Sequence, residues 1–391
     1  MTSEEIKRLD ASSFMPTYGR FGAVLCSGRN ATAKDCEGKE YIDFGSGIGV
    51  NSLGWCDEGW VKAVCAQAGA LQHTSNLYYS PAPASFAAEL CPVSGYAAAF
   101  LGDSGAEANE CAIKLARKHG VEQKGESCCE IITLRNSFHG RTVTTLAATG
   151  QDSFHQYFFP FTGGFRYAEP SLEDVKAQMS ENTCAVMVEF IQGEGGVLPL
   201  DPQFVKDLAA LCRERGVLLV ADEVQTGAGR TGSFYCCQQY GVTPDVLTSA
   251  KGLGGGLPIG ACLCTEELKD VMGRSMHGST FGGNPVVCAG ALEVVRRVSQ
   301  PEFLAQVREK GQYLRQRLEQ MDGIAQVRGL GLMLGALPSR GTAAQLAAAC
   351  VEEGLLVLTA KDSLRFLPPL TITQEELDKG LAILERVLAS A

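Results

Sequence analysis

Between residues 97 and 264, seven short apolar runs alternate with segments of helical period, and this alternation constrains the fold more than any other feature. The runs cover 97–101, 131–134, 165–168, 185–190, 217–221, 246–249 and 259–264. Strands separated by helices pair in parallel, so the pattern predicts a large α/β domain with a mostly parallel sheet covered by helices. Such a sheet takes its ligand beyond the carboxyl ends of its strands, where loops and helix N-termini meet. The residues just after each run are therefore the first candidates for chemistry.

The clearest single helix follows Ser104. Ala108, Cys111, Ala112, Leu115 and Ala116 recur at helical spacing, Glu107 and Glu110 sit early, Lys114, Arg117 and Lys118 sit late, and Gly120 is the expected stop. After residue 284 the pattern changes to two long helical stretches, 286–298 and 302–321, short strands near 325–337, 355–359 and 364–367, and a final helix from 374. This predicts a smaller α+β domain. Residues 1–50, with the strand-like Glu40-Tyr-Ile-Asp-Phe44, are expected to complete it, leaving 51–284 as the large domain and 285–391 as the rest of the small one.

Composition removes several classes of function. A net charge of −10 disfavours nucleic acid and anionic membrane as partners, leaving small molecules. No apolar run approaches the length of a membrane span, and the first ten residues have no signal-peptide core, so a cytoplasmic protein is expected. The five histidines have no metal-ligand spacing, and no metal site is expected. The sixteen cysteines, scattered and often within apolar runs, are read as reduced core residues.

Three strand ends carry distinctive groups. Lys251 follows the run at 246–249 and precedes Gly252, Gly254, Gly255 and Gly256, a lone amine beside uncrowded backbone, as a Schiff base to an aldehyde cofactor requires. Asp222 ends the run at 217–221 and supplies the carboxylate that a pyridoxal ring needs near its ring nitrogen. Ser104, Gly105 and Ala106 open the best helix, where free amides form an anion site, although Ser104 also suits a simple N-cap. Gln225 could donate to the ring's phenolic oxygen, Phe138 or His139 could stack on a planar ring, and Arg141 could grip a carboxylate with two parallel bonds.

Seven segments in order resemble the class III, ornithine-type aminotransferases, which are fold type I pyridoxal phosphate enzymes. They are Ser104-Gly-Ala-Glu-Ala-Asn-Glu110, Phe138-His-Gly-Arg-Thr142, Glu189-Phe-Ile-Gln-Gly-Glu-Gly-Gly196, Asp222-Glu-Val-Gln225, Thr248-Ser-Ala-Lys251, His277-Gly-Ser-Thr280 and Leu364-Arg-Phe-Leu-Pro-Pro369. The resemblance runs from Met15 to the last helix. It implies pyridoxal 5'-phosphate as cofactor, joined to Lys251, with Asp222 on the ring nitrogen, Gln225 on the phenolic oxygen and Phe138 stacked on the ring. Ser104, Gly105 and Ala106 would hold the phosphate, and Thr280 would reach it from the neighbouring subunit of a homodimer with shared active sites. Tyr18 and Arg141 would take the far carboxylate of the substrate and Arg365 the α-carboxylate of glutamate. Glu194 would pair with Arg365 when no such carboxylate is present. The implied reaction moves the terminal amino group of N2-acetylornithine to 2-oxoglutarate, within arginine biosynthesis. Ornithine, succinylornithine and 4-aminobutyrate are the alternative amines.

Three positions depart from the family's habit. Gly54-Trp-Cys-Asp-Glu-Gly59 replaces a Gly-His-x-His-Pro run, Asp103 stands where asparagine is usual, and Ile48 stands where enzymes acting on free ornithine tend to carry tyrosine. Asp103 would add an unfavourable charge beside a phosphate unless its side chain turns away. A nucleotide-binding dehydrogenase fits poorly, because neither 252–256 nor 329–335 has the G-x-G-x-x-G spacing, and no P-loop is present. A non-catalytic protein of the same fold is disfavoured by the intact Lys251 and Asp222.

Overall fold

The computed structural model describes residues 1–390. Its centre is a seven-stranded sheet built from β1 (Ala98–Gly102), β2 (Glu130–Leu134), β3 (Phe165–Ala168), β4 (Thr183–Val188), β5 (Leu218–Asp222), β6 (Val246–Ser249) and β7 (Gly260–Cys264), in the spatial order β1-β7-β6-β5-β4-β2-β3. Pairs from β6 through β5, β4 and β2 to β3 are parallel, and β7 alone runs against its two neighbours. Every expected strand is present, within two residues at either end. β4 is buried at all six positions and β5 at all five, as strands with both faces covered must be.

The helix that follows β1 covers Gly105–Lys124, so Gly120 does not stop it. A Cβ at Gly120 would lie 2.4 Å from the carbonyl oxygen of Cys128 and 2.5 Å from Cys184 Cβ. Glycine is there for close helix–sheet approach, and Gly125 with φ 97° ends the helix instead.

The remaining strands form two smaller four-stranded sheets. In one, the hairpin Leu25–Arg29 and Thr32–Asp35 continues into Glu40–Asp43, which pairs in parallel with Leu355–Leu356 from the far end of the chain. The other joins Ile324–Leu330, Met333–Pro338, Ser363–Phe366 and Leu358–Ala360. Phe44, fully buried, meets Phe366 edge-to-face at 6.1 Å between ring centroids and abuts Gly380 of the final helix Gln374–Ala389. The first fifty residues thus share a core with the last hundred.

The cysteines are not all reduced core residues. Cys26 and Cys36 are joined as a disulfide across the first hairpin, and Cys56 and Cys65 are exposed, while ten of the others are buried. No helix among the described residues is long and apolar enough to cross a membrane, and no cluster of three or more potential metal-ligating side chains occurs among them.

Candidate active site

Five loops at the carboxyl ends of parallel strands converge on one cavity of about 510 Å³, lined by Ser104, Gly105 and Ala106 after β1, Phe138 to Arg141 after β2, Glu189 after β4, Asp222 to Gln225 at the end of β5, and Ala250 and Lys251 after β6. A larger cleft of about 760 Å³ opens near the amino ends of the strands, around Ser127, Asn182 and Val217. Buried carboxylates and a lysine with a buried amine, Glu189, Asp222 and Lys251, line the smaller cavity and none lines the larger cleft, and that marks the smaller one as the candidate site.

Asp222 and Lys251 are brought together by strand register. Asp222 lies opposite Thr248 in the β5–β6 ladder, and Lys251 follows three residues later. Lys251 has φ 45°, a left-handed backbone rare for a side chain of this size, and is held there by the turn that begins when Leu253 donates to the carbonyl of Ala250. Burial, with the nearby charge of Arg365, keeps the Lys251 amine below its ordinary pKa, only partly offset by Glu194, Asp222 and Glu189. A lysine so placed spends more time as the neutral nucleophile.

Asp222 is 4% exposed and saturated on one side. Its Oδ2 accepts from Asn109 Nδ2 and lies 2.8 Å from His139 Nδ1, while Oδ1 accepts from the Val224 amide. Glu189, buried beside this cluster, accepts from the amides of Phe138 and Gly193. Burial raises its carboxyl to about 7, against the pull of His139 and the two amides.

At the mouth of the first loop, Ser104 is committed to capping. Its hydroxyl accepts from the Glu107 amide and donates to the Glu107 carboxylate. The amides of Gly105 and Ala106 precede the helical ladder, which begins when Ala108 donates to the carbonyl of Ser104. Both residues line the cavity at the start of the helix. Gly260 has to be glycine here, since a Cβ would sit 2.0 Å from the carbonyl oxygen of Ser104. The Asp103 carboxylate turns to accept from Ser279 Oγ at 2.9 Å. Burial and the charge of Glu107 raise its pKa, while Ser279 draws it down.

Beyond Gln225 stands the second charged pair. Arg365, 4% exposed, donates through Nη1 to Glu194 Oε1 and to Gln225 Oε1, and its Nε has no partner. Burial alone would raise the Glu194 carboxyl, but the charge and hydrogen bond of Arg365 hold it below its ordinary value. Arg141 reaches the cavity rim with its guanidinium 4.4 Å from the Phe154 ring centroid and 5.6 Å from that of Phe138.

Four expected residues do not line this cavity: Glu194 and Arg365 pair behind Gln225, and Tyr18 and Thr280 lie farther away. Tyr18 is 75% exposed beside Arg20, in an irregular segment after the first helix, and does not line the site. Thr280 is exposed and lies outside the cavity of its own chain. Ile48 sits near the rim, two residues before the lining residue Val50, in a turn where Ser46, Gly47, Ile48 and Gly49 all have positive φ. Asn109, Val224 and Glu189 were not singled out from the sequence, nor was His139 as a partner of Asp222. The one signal for Asn109 is a polar residue next to Ala108 on the apolar face of the helix.

The pattern of the Aminotransferase class-III family matches residues 15–388, and the chain belongs to that family. Among curated relatives, an acetylornithine aminotransferase of Haemophilus ducreyi is 47% identical over the whole of both chains. One of Caldanaerobacter subterraneus is 43% identical, covering 96% of this chain and 97% of its own. Among solved structures, the ornithine aminotransferase of Toxoplasma gondii superposes with a TM-score of 0.95 at 30% identity, covering 100% of this chain and 96% of its own. The N-acetylornithine aminotransferase of Stenotrophomonas maltophilia gives 0.84 at 38% identity, covering 98% of each.

Proposed function

We propose that this chain is a pyridoxal 5'-phosphate-dependent transaminase that moves the terminal amino group of N2-acetylornithine to 2-oxoglutarate, giving N-acetylglutamate 5-semialdehyde and glutamate. The reading rests on one observation: a buried amine, Lys251, and a buried carboxylate, Asp222, open from adjacent strands into the same cavity.

The residues fit that cofactor. Lys251 offers a depressed amine for its aldehyde, Asp222 a carboxylate whose Oδ1 takes a single amide bond and keeps a lone pair for the ring nitrogen, and Gln225 an amide for the phenolic oxygen. Gly105 and Ala106 offer helix N-terminal amides for the phosphate. Phe138 lines the cavity as the stacking ring. When bound, the cofactor supplies an electrophilic carbon and a ring that draws in the electrons left when a proton leaves the substrate carbon.

The chain's own groups do the rest. Lys251 Nζ would hold the cofactor's aldehyde carbon and, as a neutral amine, would serve as the base that moves the substrate proton. Arg141, with Tyr18 swung in from its exposed segment, binds the far carboxylate of the amine substrate. Arg365 faces a substrate carbon that bears a carboxylate in glutamate and none in the terminal amine. Unpaired in a dry pocket, its guanidinium would cost about 3–5 kcal/mol. Glu194 pairs with it during the first half-reaction and yields it to glutamate during the second.

Leu77, Tyr78, Tyr79 and Phe281 are 85, 74, 107 and 62% exposed, and the last adjoins Thr280. We assign this apolar surface to a homodimer in which Thr280 meets the neighbouring subunit's phosphate. Residues 51–284 are the cofactor-binding domain, and 1–50 with 285–391 the smaller one. The free thiols at fourteen positions support a reducing, cytoplasmic setting, with Cys26–Cys36 the exception.

Acetylornithine is preferred because the curated relatives of that name are 47 and 43% identical over nearly the whole chain, whereas the ornithine aminotransferase of higher TM-score is only 30% identical. Backbone likeness does not rank amines that differ only where a few side chains meet the far end. A panel of N2-acetylornithine, ornithine, succinylornithine and 4-aminobutyrate with 2-oxoglutarate tests this. A preference for acetylornithine of at least about tenfold in kcat/KM is expected, roughly 1.4 kcal/mol. A higher kcat/KM for any other amine overturns the substrate assignment, and parallel-line ping-pong kinetics are expected throughout.

A further inference from the structure

Asp222 is held by an assembly that the transamination reading leaves unused. His139 is 2% exposed, and both ends of its peptide unit are tied: its amide donates to Thr149 Oγ1 at 3.0 Å and its carbonyl accepts from Asn109 Nδ2 at 2.7 Å. The ring has little freedom. Its Nδ1 lies 2.8 Å from Asp222 Oδ2, and because a carboxylate only accepts, Nδ1 carries the proton and donates. Asn109 Nδ2 donates to the same oxygen, and Thr248 Oγ1 donates to Asn109 Oδ1 at 2.6 Å, which fixes which end of that amide faces Asp222. Oδ2 is thus filled by two side-chain donors, one from the loop after β2 and one from the helix after β1. The other ring nitrogen, Nε2, is buried without a partner. A histidine kept only for packing has no need to spend its single satisfied nitrogen on a carboxylate that lines the cofactor cavity.

Resting on the cofactor assignment above, we infer that His139 is a positioning residue: by donating from Nδ1 to Oδ2 it keeps Asp222 turned so that Oδ1 meets the ring nitrogen of pyridoxal phosphate. Glu189 and Asp222 are the carboxylates beside it, and Glu189 is occupied by the amides of Phe138 and Gly193, so Asp222 receives the imidazole N–H. With that donor gone, Asp222 would be free to turn, and the ring nitrogen would lose its carboxylate partner for part of the time. The ring would draw electrons less strongly, and the nitrogen joining Lys251 to the cofactor would become more basic.

The test compares H139N, H139Q and H139L with the wild-type chain. Asparagine places its Nδ2 where the imidazole Nδ1 stood, glutamine reaches past it toward Nε2, and leucine fills space without donating. Three quantities are read: pyridoxal phosphate affinity of the apoprotein by fluorescence titration, the pH midpoint of the bound cofactor's visible absorption, and the apoprotein melting temperature. H139L and H139Q are expected to bind about tenfold more weakly, as loss of one bond to a charged group implies, with the midpoint moved upward, while H139N stays within about threefold of wild type. Equal loss in all three variants, or wild-type affinity and midpoint in H139L, overturns the inference. If H139L fails to fold, the contrast between H139N and H139Q decides alone. A wild-type chain that binds no pyridoxal phosphate sinks the cofactor assignment itself, a result distinct from any ranking of the variants.

Discussion

Glu194 and Arg365, 171 residues apart in the chain, meet as an ion pair in which the guanidinium is almost fully enclosed and the carboxylate is 29% exposed. The less buried partner is the one free to leave. The loop bearing Glu194 is a short two-stranded excursion after β4, whereas Arg365 is central in a four-residue strand buried at every position.

From this asymmetry, E194Q should slow the half-reaction with the terminal amine more than the half-reaction with glutamate. The neutral amide leaves Arg365 poorly compensated only when no α-carboxylate is present. Single-turnover rates for each half, followed by cofactor absorbance, should differ in their loss by about tenfold or more, since truncating one partner of a buried pair costs at least that much. Equal losses would argue against a switch.

The Lys251 amine offers a pH test with opposite signs. Burial and Arg365 lower its pKa, while Glu194 raises it. Only the neutral amine attacks an aldehyde, so the rate of cofactor loading onto apoprotein should rise with pH through a midpoint below the ordinary lysine value. E194Q should move that midpoint down and R365L should move it up. A shift of the same sign in both variants would mean that these charges do not act on Lys251.

Replacing the amine removes the covalent anchor and the proton carrier together. K251A should keep its circular dichroism and melting behaviour and lose about a thousandfold or more in turnover, in line with removal of a general base. Borohydride reduction of the wild-type holoenzyme should mark the peptide containing Lys251, and no pyridoxyl adduct should form in the variant.

Phe44 joins the two ends of the chain. Truncating a fully buried aromatic ring costs about 3–5 kcal/mol, so F44A should lower the melting temperature sharply in the apoprotein. G380A should destabilise by a smaller amount, about 1–3 kcal/mol, because its new methyl group would meet the same ring, 2.4 Å from Phe44 Cζ. Measuring both by urea unfolding, along with the double variant F44A/G380A, checks the contact: the alanine at 380 should be harmless once the ring is gone.

The strands of the large sheet were legible because a strand buried on both faces must be a continuous apolar run, and the groups at strand ends stood out against it. Lys251, Asp222 and the helix-opening amides of Gly105 and Ala106 could be placed from local pattern alone. Ser104 was read two ways, and its hydroxyl proves to serve the helix, since Glu107 lies within reach three residues on. Gly120 was misread as a stop because local sequence does not reveal that Cys128 and Cys184 press against it.

Other features had no local signature. The Asn109–Asp222–His139 bonds join residues 113 and 83 positions apart, and the Cys26–Cys36 pair depends on a hairpin register. Tyr18 and Thr280 carry the family's motif yet lie outside their own chain's cavity. Periodicity and residue type, which act over a turn or a strand, thus determined the sheet, its helices and the chemistry available at strand ends. The tertiary structure alone decided which oxygen of Asp222 is already filled and how enclosed Arg365 and Glu194 each are, because hydrogen bonding and desolvation depend on distances between segments that only packing brings together.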